Sequence, residues 1–182
     1  MKISIIGAGA FGTAMAITSA RAGNDVVLWA HDPDVAAAIV ETGENPDYLP
    51  GLPLGGRVRA TSDLAEAAAF SDTIFMVTPS HHYRDVLARL REHAQDRVSV
   101  ISGTKGIENE TLGRMSEITG EVLGDRLRAF ATLSGPTFAL EVARGDPTAA
   151  AIASTDVVFA QELQRALSSP TFRLYHSEDV VG

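Results

Sequence analysis

The chain has 182 residues, 45% of them hydrophobic, which is enough to bury a core of its own and excludes a simply disordered protein. A net charge of −8 speaks against general affinity for nucleic-acid backbones, and no apolar run approaches the ~18 residues of a membrane span. The absence of cysteine removes disulfides, thiolate catalysis and Cys-ligated zinc, and fits a reducing, cytoplasmic setting.

Residues 3–6 form a short apolar run directly after Met1-Lys2, which reads as a strand rather than a secretory leader. Gly7-Ala8-Gly9-Ala10-Phe11-Gly12 follows at once, opens a helix to about residue 22, and leads to a second apolar run at 26–29. Alone, a G-x-G-x-x-G motif is weak. Placed between a strand and a helix in a βαβ unit, it predicts a phosphate cradle. Gly7 permits the tight turn, Gly9 lets a pyrophosphate approach the backbone, and Gly12 lets helix and strand pack closely. The N–H groups of Ala10 and Phe11 would then face the phosphates, favoured by the helix dipole.

Trp29-Ala30-His31-Asp32 ends the second run, where a Rossmann domain reads the adenosine ribose. A carboxylate there favours NAD and a cation NADP. His31 is taken to line the site, while Asp32 is equally a turn residue before Pro33, so the choice between NAD and NADP stays open. Residues 45–56 carry Pro46, Pro50, Gly51, Pro53, Gly55 and Gly56 and are expected to be a loop. Thr61-Ser62-Asp63 supplies a helix cap and first-turn acid before 64–70. The alanine runs 36–38 and 67–69 suggest close-packed helix faces.

Apolar runs at 74–77, 98–101, 130–133, 149–153 and 172–175 predict further strands covered on both faces. Tyr83, Val86, Leu87 and Leu90 recur at helical spacing, as do Phe159, Leu163, Ala166 and Leu167; Leu112, Met115, Ile118 and Val122 do so more loosely. The alternation predicts an α/β fold: a Rossmann-like, doubly wound, mostly parallel sheet. Three polar stretches follow strands, where open α/β sheets bind ligands: Thr78-Pro79-Ser80-His81, Ser102-Gly103-Thr104-Lys105-Gly106 and Ser134-Gly135-Pro136-Thr137-Phe138-Ala139. Each has a plainer reading, as a proline turn, a surface lysine and a helix cap. Gly135-Pro136 suits a helix start, with the Thr137 hydroxyl and N–H offered to an anion. No histidine or carboxylate spacing suits a metal, and His81 and His82 would diverge on a helix. Ser177-Glu178-Asp179 looks like the start of another helix, so residues 1–176 are expected to be one domain and 177–182 the start of a second.

In order along the chain, these motifs resemble the N-terminal domain of the bacterial NAD(P)-dependent glycerol-3-phosphate dehydrogenases. The residues that carry the likeness are 5–14, 28–33, Asn45-Pro46-Asp47-Tyr48-Leu49-Pro50-Gly51, 77–81, Thr104-Lys105-Gly106-Ile107-Glu108 and 134–139. The Thr-Lys-Gly and Ser-Gly-Pro-Thr-Phe-Ala motifs are the specific ones. The resemblance implies reduction of dihydroxyacetone phosphate to sn-glycerol 3-phosphate by NADH or NADPH, a step towards glycerophospholipid precursors, with no metal. It implies that Ala10 and Phe11 meet the cofactor pyrophosphate, His31 lies by the adenosine, and Ala139 touches the cofactor. Lys105 would contact both cofactor and substrate, Gly135 and Thr137 would hold the substrate, and Tyr48 would sit near the cofactor.

It also implies a second, helical substrate domain that is missing from this chain. That domain would supply a proton-donor lysine beyond Gly182 and an arginine for the phosphate, and any homodimer would form through it. By itself this half is expected to be inactive. Two other readings stand beside this one: a non-catalytic NAD(P)H sensor, and a two-domain dehydrogenase of another hydroxy acid. A sensor would need neither Lys105 nor the 134–139 motif.

Overall fold

A computed structural model describes residues 1–181. The chain runs β1 (Lys2–Ile6), α1 (Ala10–Arg21), β2 (Asp25–Trp29), α2 (Pro33–Thr42), β3 (Glu44–Asn45), β4 (Leu49–Pro53), β5 (Val58–Thr61), α3 (Leu64–Phe70) and β6 (Thr73–Met76). It continues through α4 (Ser80–His93), β7 (Val98–Ser102), α5 (Met115–Leu123), β8 (Leu127–Ser134), α6 (Ala139–Arg144), β9 (Thr148–Ala153), α7 (Val157–Leu167) and β10 (Phe172–Ser177).

Eight strands form one sheet in the order β10-β9-β8-β7-β6-β1-β2-β5. β8 and β9 pair antiparallel; the other neighbours in that sheet are parallel. Two apolar layers explain the unbroken hydrophobic runs. Ile3, Ile5, Val26, Leu28, Phe75 and Ile101 point into one layer, whereas Ile6, Val27, Trp29, Ile74, Met76 and Val100 point into the other. Successive side chains alternate faces in a strand, so only a sheet covered on both sides makes every position apolar. Helices α1, α6 and α7 cover the first face, and α3, α4 and α5 the second. This is the doubly wound architecture the alternation predicts, and the strand order reverses direction between β1 and β6.

Several expectations change in detail. The Pro/Gly-rich stretch 45–56 is not simply a loop: Glu44–Asn45 and Leu49–Pro53 pair as a small antiparallel hairpin. Val58–Thr61, not foreseen as a strand, closes the sheet edge against β2. Its alternation is short and carries two charged or polar positions, so no apolar run announces it. Helix α3 is capped by Asp63, which accepts from the N–H groups of Ala65 (2.8 Å) and Glu66 (3.3 Å). Leu112 lies outside α5, exposed and with φ of 57°, because 108–113 close on themselves through Leu112 N–H to Glu108 O (3.0 Å). In the alanine runs, Ala36, Ala67 and Ala68 are buried, while Ala37 and Ala69 face outward. At the far end, Ser177 closes β10 rather than opening a helix. Ser177 Oγ accepts from Asp179 N–H (3.1 Å) and Asp179 Oδ1 from Val181 N–H (3.0 Å), two successive turns, and Gly182 lies outside the described residues.

Candidate functional site

A cleft of about 900 Å³ opens at the carboxyl ends of β1, β2, β6 and β7, on the point where the strand order reverses. Its floor is the glycine turn. Gly7 adopts φ of +123° and donates its N–H to Trp29 O (3.0 Å); a Cβ there would lie 2.9 Å from Val77 O. Gly12 is tighter still, since a Cβ would fall 1.8 Å from Gly7 O and 2.9 Å from Val77 Cγ2. These two glycines are dictated by the protein's own packing. Gly9 differs: a Cβ there would meet nothing within 4 Å. The space in front of Gly9 belongs to the cleft, so a dinucleotide has room to reach the main chain there.

Gly9 is also the N-cap of α1, with no side-chain cap and no acid in the first turn. The first N–H groups of a helix have no intrahelical partner, so this end presents Ala10 and Phe11 as donors with the positive end of the dipole behind them. Phe11 lines the cleft; Ala10 and Gly12 do not. The donor set and the open face at Gly9 together fit a diphosphate.

The structure settles the local role of Asp32. Its carboxylate caps α2 by accepting from Asp34 N–H (2.9 Å), as the proline-turn reading had it. His31 is exposed on the cleft rim, edge-on to Trp29 with ring centroids 5.8 Å apart, and Trp29 is pinned by donating Nε1–H to Ser62 O (3.0 Å). Tyr48, on the hairpin turn, also reaches the rim.

Lys105 and Thr137 line the opposite end of the cleft. Gly103 donates its N–H to Met76 O (2.9 Å), and the Thr104 hydroxyl donates to Thr78 O (2.9 Å), so the strand edge fixes the start of the lysine loop. In the third stretch the expectation needs correcting. The helix begins at Ala139, behind Phe138, not at Gly135-Pro136. The Thr137 N–H is already spent on Gly135 O (2.9 Å), so only the hydroxyl, 3.4 Å from that same carbonyl, is open to an anion. Gly135, at φ of +151°, packs on Ala150, and Ala139 begins the helix that leans on α1; neither lines the cleft.

Sequence reasoning missed several contributors. Asn45 is fully buried and donates Nδ2–H to Ala8 O (2.8 Å) and to Thr13 Oγ1 (2.8 Å), tying the hairpin to the glycine turn. Its Asn-Pro context reads as a turn, and periodicity is blind to a buried polar anchor. Val35 from α2, and His82, Asp85 and Arg89 from α4, add to the wall. The i, i+3, i+7 spacing of 82, 85 and 89 places them on one helix flank beside the buried stripe, a signal available in the sequence. Among the described residues no group of three or more His, Asp or Glu side chains could hold a metal, and no helix is long and apolar enough to cross a membrane.

A doubly wound sheet whose first βα turn is an uncapped glycine cradle defines the class: this is a dinucleotide-binding domain of the Rossmann type. The comparisons narrow it. Residues 2–160 match the family described as NAD-dependent glycerol-3-phosphate dehydrogenase N-terminus. A glycerol-3-phosphate dehydrogenase [NAD(P)+] of Rhodospirillum rubrum is 47% identical over 180 residues, 99% of this chain and 51% of that protein. The Escherichia coli protein of the same name is 42% identical over 182 residues, all of this chain and 53% of the other. The crystal structure of the Coxiella burnetii glycerol-3-phosphate dehydrogenase superposes with a TM-score of 0.92 at 32% identity, covering 98% of this chain and 54% of that one. The chain belongs to the NAD-dependent glycerol-3-phosphate dehydrogenase family and corresponds to its N-terminal, NAD(P)-binding domain. It spans about half the length of the curated relatives it matches.

Proposed function

We propose that the protein carrying this chain interconverts dihydroxyacetone phosphate and sn-glycerol 3-phosphate, with NADH or NADPH as the reductant, and that this chain is its cofactor-binding half. The observation that carries this reading is the pairing, across one cleft, of the open face at Gly9 with Lys105, which has no hydrogen bond or ion pair to any described residue. A pure sensor has no use for the second.

The residues divide the work by their chemistry. Main-chain N–H groups of Ala10 and Phe11 hold the pyrophosphate, and Gly7, Gly9 and Gly12 shape the turn that presents them. His31 and Tyr48 border the adenosine end, and Ala139, which does not line the cleft, is assigned to the cofactor on the family likeness alone. When bound, the reduced nicotinamide supplies the hydride. The Lys105 ammonium is a point charge suited to the substrate phosphate and the nearby cofactor. The Thr137 hydroxyl completes the substrate end, and Gly135, which does not line the cleft, is assigned to it on the family likeness alone. On the family likeness, the proton for the new hydroxyl is assigned to a lysine in the half that this chain does not span, within hydrogen-bond reach of the carbonyl oxygen. Association into a homodimer is assigned to that same half. The cysteine-free composition suits a reducing compartment, and we place the protein in the cytoplasm.

The test is a side-by-side assay. The full-length protein reduces dihydroxyacetone phosphate with NADH or NADPH, whereas residues 1–182 bind the reduced nucleotide, seen by calorimetry, with negligible turnover. Robust turnover by the 182-residue chain, or no heat with either nucleotide, defeats the proposal.

A further inference from the structure

The loop that carries Lys105 is bracketed by two anchors, and the second belongs to no part of the site described so far. Upstream, Thr104 is fixed to Thr78 O. Downstream, Arg84 of α4 grips Glu108 with two parallel bonds, Nε–H to Oε1 (2.7 Å) and Nη2–H to Oε2 (2.9 Å). The same Nη2 donates to Glu121 Oε2 of α5 (2.8 Å), and the Thr111 hydroxyl donates to Glu108 Oε2. The Glu108 main chain closes the loop behind it, with its N–H on Gly113 O (2.9 Å) and its O receiving Leu112 N–H (3.0 Å). Between the two anchors stands Lys105, exposed, with no ion pair or hydrogen bond to any described residue.

We propose that Glu108 and Arg84 are positioning residues for substrate binding: their two-pronged ion pair holds the 105–107 segment so that the Lys105 ammonium faces the cleft. This rests on Lys105 being the group that meets the substrate phosphate.

Four observations support it. Glu108 is only three residues from Lys105, so a lateral shift of the carboxylate passes directly to the lysine. Arg84 sits on the helix whose neighbouring residues His82 and Asp85 line the cleft, so the pair references the loop to the cleft wall itself. The Glu108 side chain is 12% exposed, and the pair is a fork within a three-residue network, the geometry in which an ion pair constrains position rather than fluctuating with solvent. The Arg84 hydrogen bonds hold the Glu108 carboxyl down at about 2, under its ordinary 4.5, in keeping with the two-pronged contact. Lysine itself is a long, flexible stem that loses much rotamer freedom when it holds one geometry, and an ordered loop removes the backbone share of that cost.

The experiment uses the full-length protein with Glu108→Gln, Arg84→Gln and Arg84→Lys, with Lys105→Met as reference. Glu108→Gln keeps the volume and removes the charge. It raises KM for dihydroxyacetone phosphate about tenfold and leaves nucleotide affinity within about twofold. Arg84→Gln breaks the pair from the helix side and gives the same split, so it stands in if Glu108→Gln fails to fold. Arg84→Lys keeps the charge without the fork and falls between the parent and the glutamine variants. An unchanged KM in the glutamine variants, while Lys105→Met raises it, overturns the positioning role and leaves the site reading intact. Parallel losses of substrate binding, nucleotide binding and thermal midpoint also overturn it, since that pattern marks a structural prop. If Lys105→Met itself leaves KM unchanged, the underlying assignment of the substrate end falls instead.

Discussion

The glycine turn between β1 and α1 and the lysine loop after β7 face the same cleft, yet different forces hold them in shape. The turn is built of main chain. Its conformation follows from contacts of Gly7 and Gly12 with Val77 and with each other, and from Asn45 beneath it, with no charged side chain involved. The lysine loop is built of side chains: beyond Gly103, its course depends on the Thr104 hydroxyl and on the Arg84–Glu108–Glu121 network. In the proposed function a diphosphate would meet main-chain donors held by packing. The lysine loop instead has to present a long cation, and its anchors can be loosened by charge. Steric changes should therefore break the first region, and protons the second.

The largest expected effect contrasts two neighbouring glycines. Gly12→Val forces carbon into Gly7 O and Val77, so overpacking costs about 3 kcal/mol or more and shows as loss of cooperative unfolding or a much lower midpoint. Gly9→Val meets no protein atom, so the fold survives with a midpoint near the parent's, while the branched side chain fills the space a pyrophosphate needs and nucleotide affinity falls by about a hundredfold or more. Equal damage to folding from both would erase the distinction between packing and ligand glycines. Normal nucleotide affinity in Gly9→Val would remove the cradle.

Next is Asn45→Leu, which strips a buried double anchor from the carbonyl of Ala8 and the hydroxyl of Thr13. Leaving those acceptors unpaired costs about 1–3 kcal/mol, read from denaturant midpoints, and nucleotide binding weakens with it because the hairpin and the turn lose their link. A variant as stable as the parent would show that the turn does not depend on the hairpin.

The smallest effect is on the lysine loop and depends on pH. The Glu108 carboxyl is depressed to about 2 in the folded state against an ordinary 4.5. A depressed carboxyl stabilises the fold fully above the ordinary value, and that contribution fades as the pH falls from about 4.5 towards about 2. Protection factors across residues 104–113, taken relative to the intrinsic exchange rate at each pH, should therefore fall over that interval, while amides of the glycine turn keep their protection. Simultaneous loss of protection in both would mean that the two regions do not differ in what holds them.

Much of the architecture was legible in the chain. Seven apolar runs at the predicted places became strands β1, β2 and β6 to β10, since a strand buried on both faces must be apolar throughout. The glycine motif was legible too, because Gly7 takes a positive φ in the turn and Gly12 faces Gly7 O, though the contacts with Val77 that also demand them are long-range. Helix α6 was placed three residues early, since Gly135-Pro136 satisfies the statistics of a helix start while Gly135 is in fact committed to packing on Ala150. Strand β5 was missed because its edge position demands no apolar run.

The sequence by itself determined the class of fold and the motifs at the strand ends, since hydrophobic period and turn chemistry operate over a few neighbouring residues. Only the tertiary structure decided which residues share one cleft and what holds them there. Asn45 reaches back 37 residues to Ala8, and Arg84 reaches 24 residues forward to Glu108. Asp32 turned out to cap its own helix at the cleft edge, where both it and His31 line the wall. Such choices depend on which polar groups the packed sheet leaves facing one another, and no local pattern along a chain encodes that.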